Sequence, residues 1–345
     1  MTLEYIIPII FLCFFSVFNL FGINQRFFVN QISFIVIGFV AYFITSIIGR
    51  HFFRMNSFFF YLVFLFALII TFIFGYEVRG SKRWIDLYFF NFQASEFFKI
   101  FFILFLSDFL SKSYGHRNTF SRFFVGFVLF LIPTFIIFKQ PDLGNAMVLL
   151  FIYVLMVYFS SFSKKYIAYF IAAIISFFPI FWLFLKTYQR NRILSFLSPQ
   201  IDQQGNAYNM IQSIITAGSG KFFGRGLGLG TQSRLFFLPE NNTDFAFSSL
   251  VEQFGFLGGL LVIVCYILIV FYLVKKAIYF FYQQGDDAKR RFFYVLGFMT
   301  YFIFQVFVNI GMNLGMFPVA GIALPIVSYG GSAIATFMIG IALIP

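Results

Sequence analysis

"FQASEFFKIFFILFLSDFL", Phe92 to Leu110, is an apolar run long enough to cross a bilayer, with a carboxylate and an ammonium in its first half. Glu96 and Lys99 stand three residues apart, so on a helix they share one face. A charge at mid-bilayer costs about 2.5–3.5 kcal/mol on insertion scales, and such residues therefore face a bundle interior, paired or functional. Either as a structural ion pair or as working groups, the two must point inward. A helix with an inward face needs neighbours, and the rest of the chain supplies them. Of its 345 residues 61% are hydrophobic and only 10% charged, far from the roughly 25% charged of a soluble domain. The chain reads as an all-α polytopic integral membrane protein.

Breaking the chain at its charges, glycines and prolines leaves about ten runs near the roughly 20 residues that a membrane helix requires. They lie near 3–22, 29–49, 57–76, 94–111, 122–138, 143–160, 166–185, 246–274, 292–314 and 321–344. The hydrophilic segment 186–245, between the seventh and eighth, is the one long connection, and long connections in compact folds tend to be functional. Basic residues mark cytoplasmic loops. With the N-terminus inside, the inner loops hold Arg50, Arg54, Lys112, Arg117, Arg122, Lys164, Lys165, Lys275, Lys276, Lys289, Arg290 and Arg291. The short outer loops hold only Arg26, Arg79, Lys82, Arg83 and Lys139. Both termini are thus expected in the cytoplasm and 186–245 outside. This bias accounts for the net charge of +12 without nucleic acid.

Cys13 and Cys265 sit inside apolar runs, and His51 and His116 lie beside basic loop residues with no metal-ligand spacing, which disfavours a disulfide framework or a zinc hydrolase. The 63 phenylalanines are scattered without period, so aromatic richness is no binding signal. No basic n-region or A-x-A site follows MTLEY, and the first run is expected to stay as an uncleaved anchor.

Chemistry-bearing residues gather on the outer side. "SKRWIDLYFFNF" places Arg83 and Trp84 at the depth of interface anchors, a role compatible with holding an anionic headgroup. In "KQPDLGNAM" Pro141 breaks a helix and Asp142 caps the next. "YQRNRI" offers Arg190 and Arg192, which can hold phosphates bidentately or anchor lipid headgroups without specificity. "GSGKFFGRGLGLG" lacks the spacing of a nucleotide phosphate loop. Its backbone beside Lys221 and Arg225 reads either as a pyrophosphate cradle or as a plain surface loop. "LPENNTDFAFSSLVEQFG" concentrates Glu240, Asp244 and Glu252, three of only 12 acids. Asp244, half withdrawn from water where the chain enters the membrane, reads as a general base or as the cap of the eighth helix.

Taken together, "SKRWIDLYFFNFQASEFFK", "KQPDLGNAM", "YQRNRI", "YNMIQSIITAGSGKFFGRGLGLGTQSRLFFLPENNTDF" and "VNIGMNLGMFPVAGIALPIVSYGGS" resemble the SEDS (shape, elongation, division and sporulation) family, and most closely its rod-shape branch. The match runs in family order from about Arg79 to the end. It implies a ten-helix fold of the bacterial inner membrane that polymerises lipid II on the outer face, releasing undecaprenyl diphosphate. By this resemblance Asp244 matches the essential aspartate, Glu96 and Lys99 the intramembrane pair, Gln212 and Ser213 the "QS" of the large loop, and Glu240 the acid of "LPE". "FPVAGIALPIVSYGGS" lacks the Thr-Lys-Gly of division-type members, which favours elongation.

The implied chemistry uses Asp244 to take the acceptor proton and Arg190, Arg192, Lys221 or Arg225, with or without magnesium or manganese, to steady the departing pyrophosphate. Glu96 and Lys99 shape the cavity where two lipids meet. A class B penicillin-binding transpeptidase and elongation-complex membrane proteins are the implied partners. A flippase of lipid-linked precursor, working through the intramembrane pair, is the alternative; a scaffold for other wall enzymes is a third reading. Ala94 stands where the family has proline, Asn242 where histidine is frequent, and Gln253 where a second Glu is common. The sequence stops at Pro345 directly after the tenth run, so contacts through a cytoplasmic tail are not expected.

Overall fold

The computed structural model describes residues 3–78, 81–86, 91–113, 119–185, 187–198 and 206–345; Arg79, His116 and Arg117 lie outside them. Helices α1 (Leu3–Ile23), α2 (Gln25–Ile48), α3 (Arg50–Met55) and α4 (Ser57–Phe74) lead into an antiparallel sheet of β1 (Tyr76–Val78), β2 (Ser81–Asp86) and β3 (Asn91–Phe92). Then follow α5 (Ala94–Ser111), α6 (Thr119–Lys139), α7 (Leu143–Tyr158), α8 (Lys164–Phe184), α9 (Thr187–Leu197), α10 (Asn206–Ser219), α11 (Thr231–Arg234), α12 (Ala246–Phe281), α13 (Asp286–Asn313) and α14 (Gly331–Ala342). A helix lies over each of the ten apolar runs. Six of them, Glu4–Ile23, Gln25–Ile48, Ser57–Phe74, Phe120–Lys139, Ala246–Phe281 and Asp286–Asn313, are long and apolar enough to span by length and composition alone.

The chain divides into two units: residues 1–40, 186–272 and 303–337 form unit 1, and residues 41–185, 273–302 and 338–345 form unit 2. In unit 2, α5 is the core helix. Every residue from Ala94 to Ser107 is buried, the pattern of a helix wrapped by protein on all sides. That is why "FQASEFFKIFFILFLSDFL" tolerates two charges: this helix does not face lipid. The small sheet before it was not anticipated, because the turn and strand signals of 76–92 are short and embedded in aromatic residues.

Three further expectations are corrected. Segment 186–245 is not one hydrophilic loop, since it carries α9, α10 and α11. The eighth run is longer than expected, reaching Phe281, and breaks at Gly255 (φ 73°, ψ −173°). The tenth run is a helix only from Gly331; residues 321–330 are irregular. Gly321, Pro325 and the glycines at 330 and 331 stop a helix there.

Irregular backbone at membrane depth survives only where protein supplies its hydrogen bonds. In unit 1 it does. Asn309 Nδ2 donates to the Ile322 carbonyl at 2.7 Å, and Tyr266 Oη to that of Pro325 at 2.7 Å. Ser16 Oγ serves Val327 at 3.0 Å and in turn receives Gln31 Nε2 at 2.7 Å. Ser328 Oγ accepts from the Leu324 amide at 2.8 Å.

Candidate functional site

Residues 241–244 are held at every carbonyl. The Asn241 carbonyl accepts from Ser249 Oγ at 2.7 Å, that of Asn242 from the Tyr329 amide at 2.8 Å, and that of Thr243 from Ser328 Oγ at 2.6 Å. The Asp244 carbonyl accepts twice, from Asn313 Nδ2 at 2.9 Å and Asn309 Nδ2 at 3.1 Å. Below them the Glu240 carbonyl closes the turn, accepting from the amides of Thr243 and Phe245, and the Glu240 carboxylate takes the Thr243 hydroxyl. Glu240 itself sits at φ 55°, a left-handed conformation uncommon for a non-glycine residue. The outcome is a rigid turn presenting the half-buried Asp244 side chain at the mouth of α12. Asn313 also fills part of the role that a cap would have. Its Oδ1 accepts from the amide of Ser248, the third residue of α12, at 3.0 Å, so that orphan donor is satisfied without Asp244.

The sequence reading missed these clamps. Asn309 and Asn313 are four apart in "VNIGMN", on one face of a helix, and two amides on one face of a membrane helix were the available signal. Glu252 is fully buried. Its carboxylate accepts from the amides of Gln232 and Ser233, both at 2.9 Å, and from Ser233 Oγ at 2.6 Å. It thereby fixes α11, whose Ser233 carbonyl accepts from Asn241 Nδ2 at 2.5 Å.

The glycine-rich loop has a different job from a pyrophosphate cradle. Breaking α12 at Gly255 frees carbonyls before the break and amides after it, and the loop takes both sets. The Arg225 amide donates to the Glu252 carbonyl at 2.9 Å and the Gly226 amide to that of Gln253 at 3.1 Å. In return Phe256 and Leu257 donate to Lys221 and Phe222 at 2.8 and 3.2 Å. The Gly228 amide goes to Gln253 Oε1 at 3.2 Å. The amides of Arg225, Gly226 and Gly228, being so engaged, do not cradle an anion. Gly224 and Gly255 both have positive φ and lie so close that a Cβ on either would strike the other's backbone.

The expected ligand side chains distribute unevenly. Lys221 and Arg225 are exposed; the Arg225 guanidinium donates to the Ser219 carbonyl and Thr231 Oγ1 at 3.3 and 3.1 Å. Arg190 and Arg192 are half-buried on α9, where Arg192 Nη1 reaches the Val319 carbonyl at 3.3 Å. Gln212 is half-buried on α10. Ser213, the second residue of the "QS" matched by resemblance, is fully buried. Its hydroxyl lies 2.7 Å from Ser248 Oγ and donates to the Asn313 carbonyl at 2.9 Å, which makes it part of the support of the Asp244 turn.

Arg83, Glu96 and Lys99 belong to unit 2 and are joined there by residues assigned lesser parts. Lys99 Nζ donates to Glu96 Oε1 and to Asn145 Oδ1, each at 2.8 Å, and lies 5.1 Å from the Tyr301 ring centre. Asn145 Nδ2 passes the chain on to Asp142 Oδ2 at 2.8 Å. Gln93 Nε2 and Ser95 Oγ converge on that oxygen at 3.1 Å, and Arg83 Nη1 pairs with Asp142 Oδ1 at 3.3 Å. Asp142 does cap α7, accepting from the Asn145 amide at 3.3 Å, but it is also the hub of this array. Two cations alternate with two anions, and each buried charge has a partner, which is the condition for burial.

Among the described residues no three of His, Cys, Asp and Glu come together as an all-protein metal site.

A family model described as cell cycle protein, covering FtsW, RodA and SpoVE, matches residues 1–345. The peptidoglycan glycosyltransferase MrdB of Escherichia coli (strain K12) is 34% identical over 288 residues, 82% of this chain and 75% of MrdB. The probable peptidoglycan glycosyltransferase FtsW of Hydrogenovibrio crunogenus is 29% identical over 328 residues, 94% of this chain and 82% of that protein. A chain from a solved peptidoglycan synthase complex that coordinates polymerization and crosslinking is 25% identical and superposes with a TM-score of 0.80, covering 99% of this chain and 95% of that one. The rod shape determining protein RodA of Thermus thermophilus shares the fold, with a TM-score of 0.72, 22% identity and coverage of 99% and 94%.

Proposed function

The chain belongs to the FtsW/RodA/SpoVE family of cell cycle proteins, and from that membership we propose how it works. It is a multi-pass inner-membrane peptidoglycan glycosyltransferase that polymerises lipid II in cell-shape maintenance. The 4-hydroxyl oxygen of the acceptor attacks the anomeric carbon of the donor, and the bond from that carbon to the pyrophosphate breaks with inversion. The hydroxyl proton passes to Asp244, a transfer worth about 10²–10⁴ in rate. The electron pair leaves on undecaprenyl diphosphate, steadied by Arg190, Arg192, Lys221 or Arg225.

The observation that carries this reading is the four-carbonyl clamp on residues 241–244. A base must be held near its productive position by groups that are themselves fixed, and the Asp244 backbone carbonyl is held by two side-chain amides. Glu240 organises the turn, and Gln212 is carried beside Ser213 on α10. On this reading the turn faces the periplasm and both termini the cytoplasm, in line with the basic-loop bias. A class B penicillin-binding transpeptidase is the proposed partner, by analogy with the synthase complex. The flippase alternative gains nothing from the intramembrane pair, which is tied into a buried array through Asn145 and Asp142.

Purified Asp244→Asn, incubated with lipid II with and without the transpeptidase, is expected to stay folded and make no glycan polymer. Polymer at the wild-type rate would remove Asp244 from the mechanism.

A further inference from the structure

Unit 2 contains a cavity of about 400 Å³ on the side that the basic-loop bias assigns to the cytoplasm. Arg50, His51 and Arg54 of α3 and Asp287, Arg290 and Arg291 of α13 line it. Four guanidiniums face one carboxylate in this wall. Asp287 is shared by Arg54 and by Arg291, the latter at 2.6 Å. Arg290 turns to Asp108 at 3.1 Å, a carboxylate it divides with Lys112 at 2.7 Å. The Pro345 oxygen is taken by Lys276 Nζ at 2.9 Å. Arg50 has no carboxylate partner among the described residues. Its Nε donates to the Ala342 carbonyl at 3.3 Å, and neither terminal nitrogen has a hydrogen-bond partner there.

Cations gathered in a concave wall with too few anions focus a positive potential and concentrate anionic ligands. Guanidinium forks match phosphate oxygens in pairs. The source of the phosphate follows from the residues that neighbour Arg50 in the chain. Ile47, Phe52 and Met55, beside Arg50 in the chain, are 84%, 49% and 67% exposed, apolar flanks suited to acyl chains. A basic pocket at the cytoplasmic end of membrane helices, on a segment that also exposes large apolar side chains, suits an anionic lipid headgroup rather than a free anion.

We propose that this cavity binds the phosphate of an anionic phospholipid of the phosphatidylglycerol type, with Arg50 as its principal ligand. None of the lining residues takes part in the polymerisation chemistry, so the site stands or falls separately from Asp244.

The test is native mass spectrometry of the full chain exchanged into detergent with equimolar phosphatidylglycerol and phosphatidylcholine. The wild type is expected to retain phosphatidylglycerol preferentially. That preference should fall about fivefold in Arg50→Gln, the loss expected for one arginine near a bilayer surface, and less in Arg50→Lys, which keeps the charge but not the fork. Equal retention of both lipids by the wild type would overturn the proposal without recourse to any variant. So would wild-type selectivity in Arg50→Gln. In a third arm, inorganic phosphate that displaces the lipid as well as added phosphatidylglycerol does would reassign the site to a free phosphate.

Discussion

Asn313 spans the junction between the proposed base and its helix: Nδ2 donates to the Asp244 carbonyl at 2.9 Å and Oδ1 accepts from the Ser248 amide at 3.0 Å. One side chain thus sets where residue 244 stands relative to the first turn of α12. In Asn313→Ala the Ser248 amide and one bond to the Asp244 carbonyl lose their partners, and each buried group left unmade costs about 1–3 kcal/mol. Small displacements of a reacting group cost up to about 10²-fold in rate. Single-turnover polymerisation by this variant should therefore fall at least tenfold while lipid II affinity holds. A loss confined to affinity would mean that Asn313 contacts substrate instead.

Gly255→Ala tests the break in α12. The added Cβ would meet Gly224 and the Phe222 carbonyl at a positive φ, and such strain costs about 1–3 kcal/mol. The loop 220–230 should undock from the helix break, making Lys221 and Arg225 faster sites of trypsin cleavage than in the wild type. Unchanged cleavage kinetics would show that the loop does not depend on this contact.

Glu252→Gln probes the tie between α12 and α11. The carboxylate accepts from three donors, and an amide turns one acceptor into a donor facing donors. Hydrogen bonds to a charged acceptor are worth about 1.5–3 kcal/mol each. The amides of Gln232 and Ser233 should exchange with deuterium faster in the variant while those of α13 do not change. Uniformly faster exchange would instead signal global destabilisation.

The membrane class, the ten runs and the inward pair at Glu96 and Lys99 were legible because charge is costly in lipid and leaves a plain trace in composition. Asp244 and Glu240 were legible as candidates by scarcity, since acids are few in this chain. What holds them was not. The clamps on 241–244 come from Ser249, Asn309, Asn313, Ser328 and the Tyr329 amide, the last 87 residues from the Asn242 carbonyl it meets, and no local pattern pairs a carbonyl with a donor so far along the chain. Asp142 shows the same limit from the other side. Its capping role follows from Pro141 and the helix that begins next to it, whereas its bonds to Gln93, Ser95 and Arg83 are made by folding. The glycine-rich loop misled because its composition suits both an anion cradle and a close approach of backbone to backbone. Only the broken helix at Gly255 decides between them.

The pair Glu96 and Lys99 offers a test of whether buried charge serves stability or arrangement. Removing one partner leaves a charge uncompensated in the core and costs about 3–5 kcal/mol, whereas replacing both by apolar residues of similar volume is often neutral. Here the pair is not isolated, since Lys99 also donates to Asn145, which carries the network to Asp142. Lys99→Met is therefore expected to lower the unfolding temperature in detergent markedly, as is Glu96→Leu, which leaves the Lys99 ammonium without its carboxylate. The double variant Glu96→Leu with Lys99→Met should recover part of the loss, giving a coupling energy of about 0.5–3 kcal/mol, the range for residues in contact. Recovery will be incomplete if the array acts as a unit, because Asn145 Oδ1 then loses its donor. Additive losses in the cycle would show that Glu96 and Lys99 act independently and that the array does not extend through Lys99.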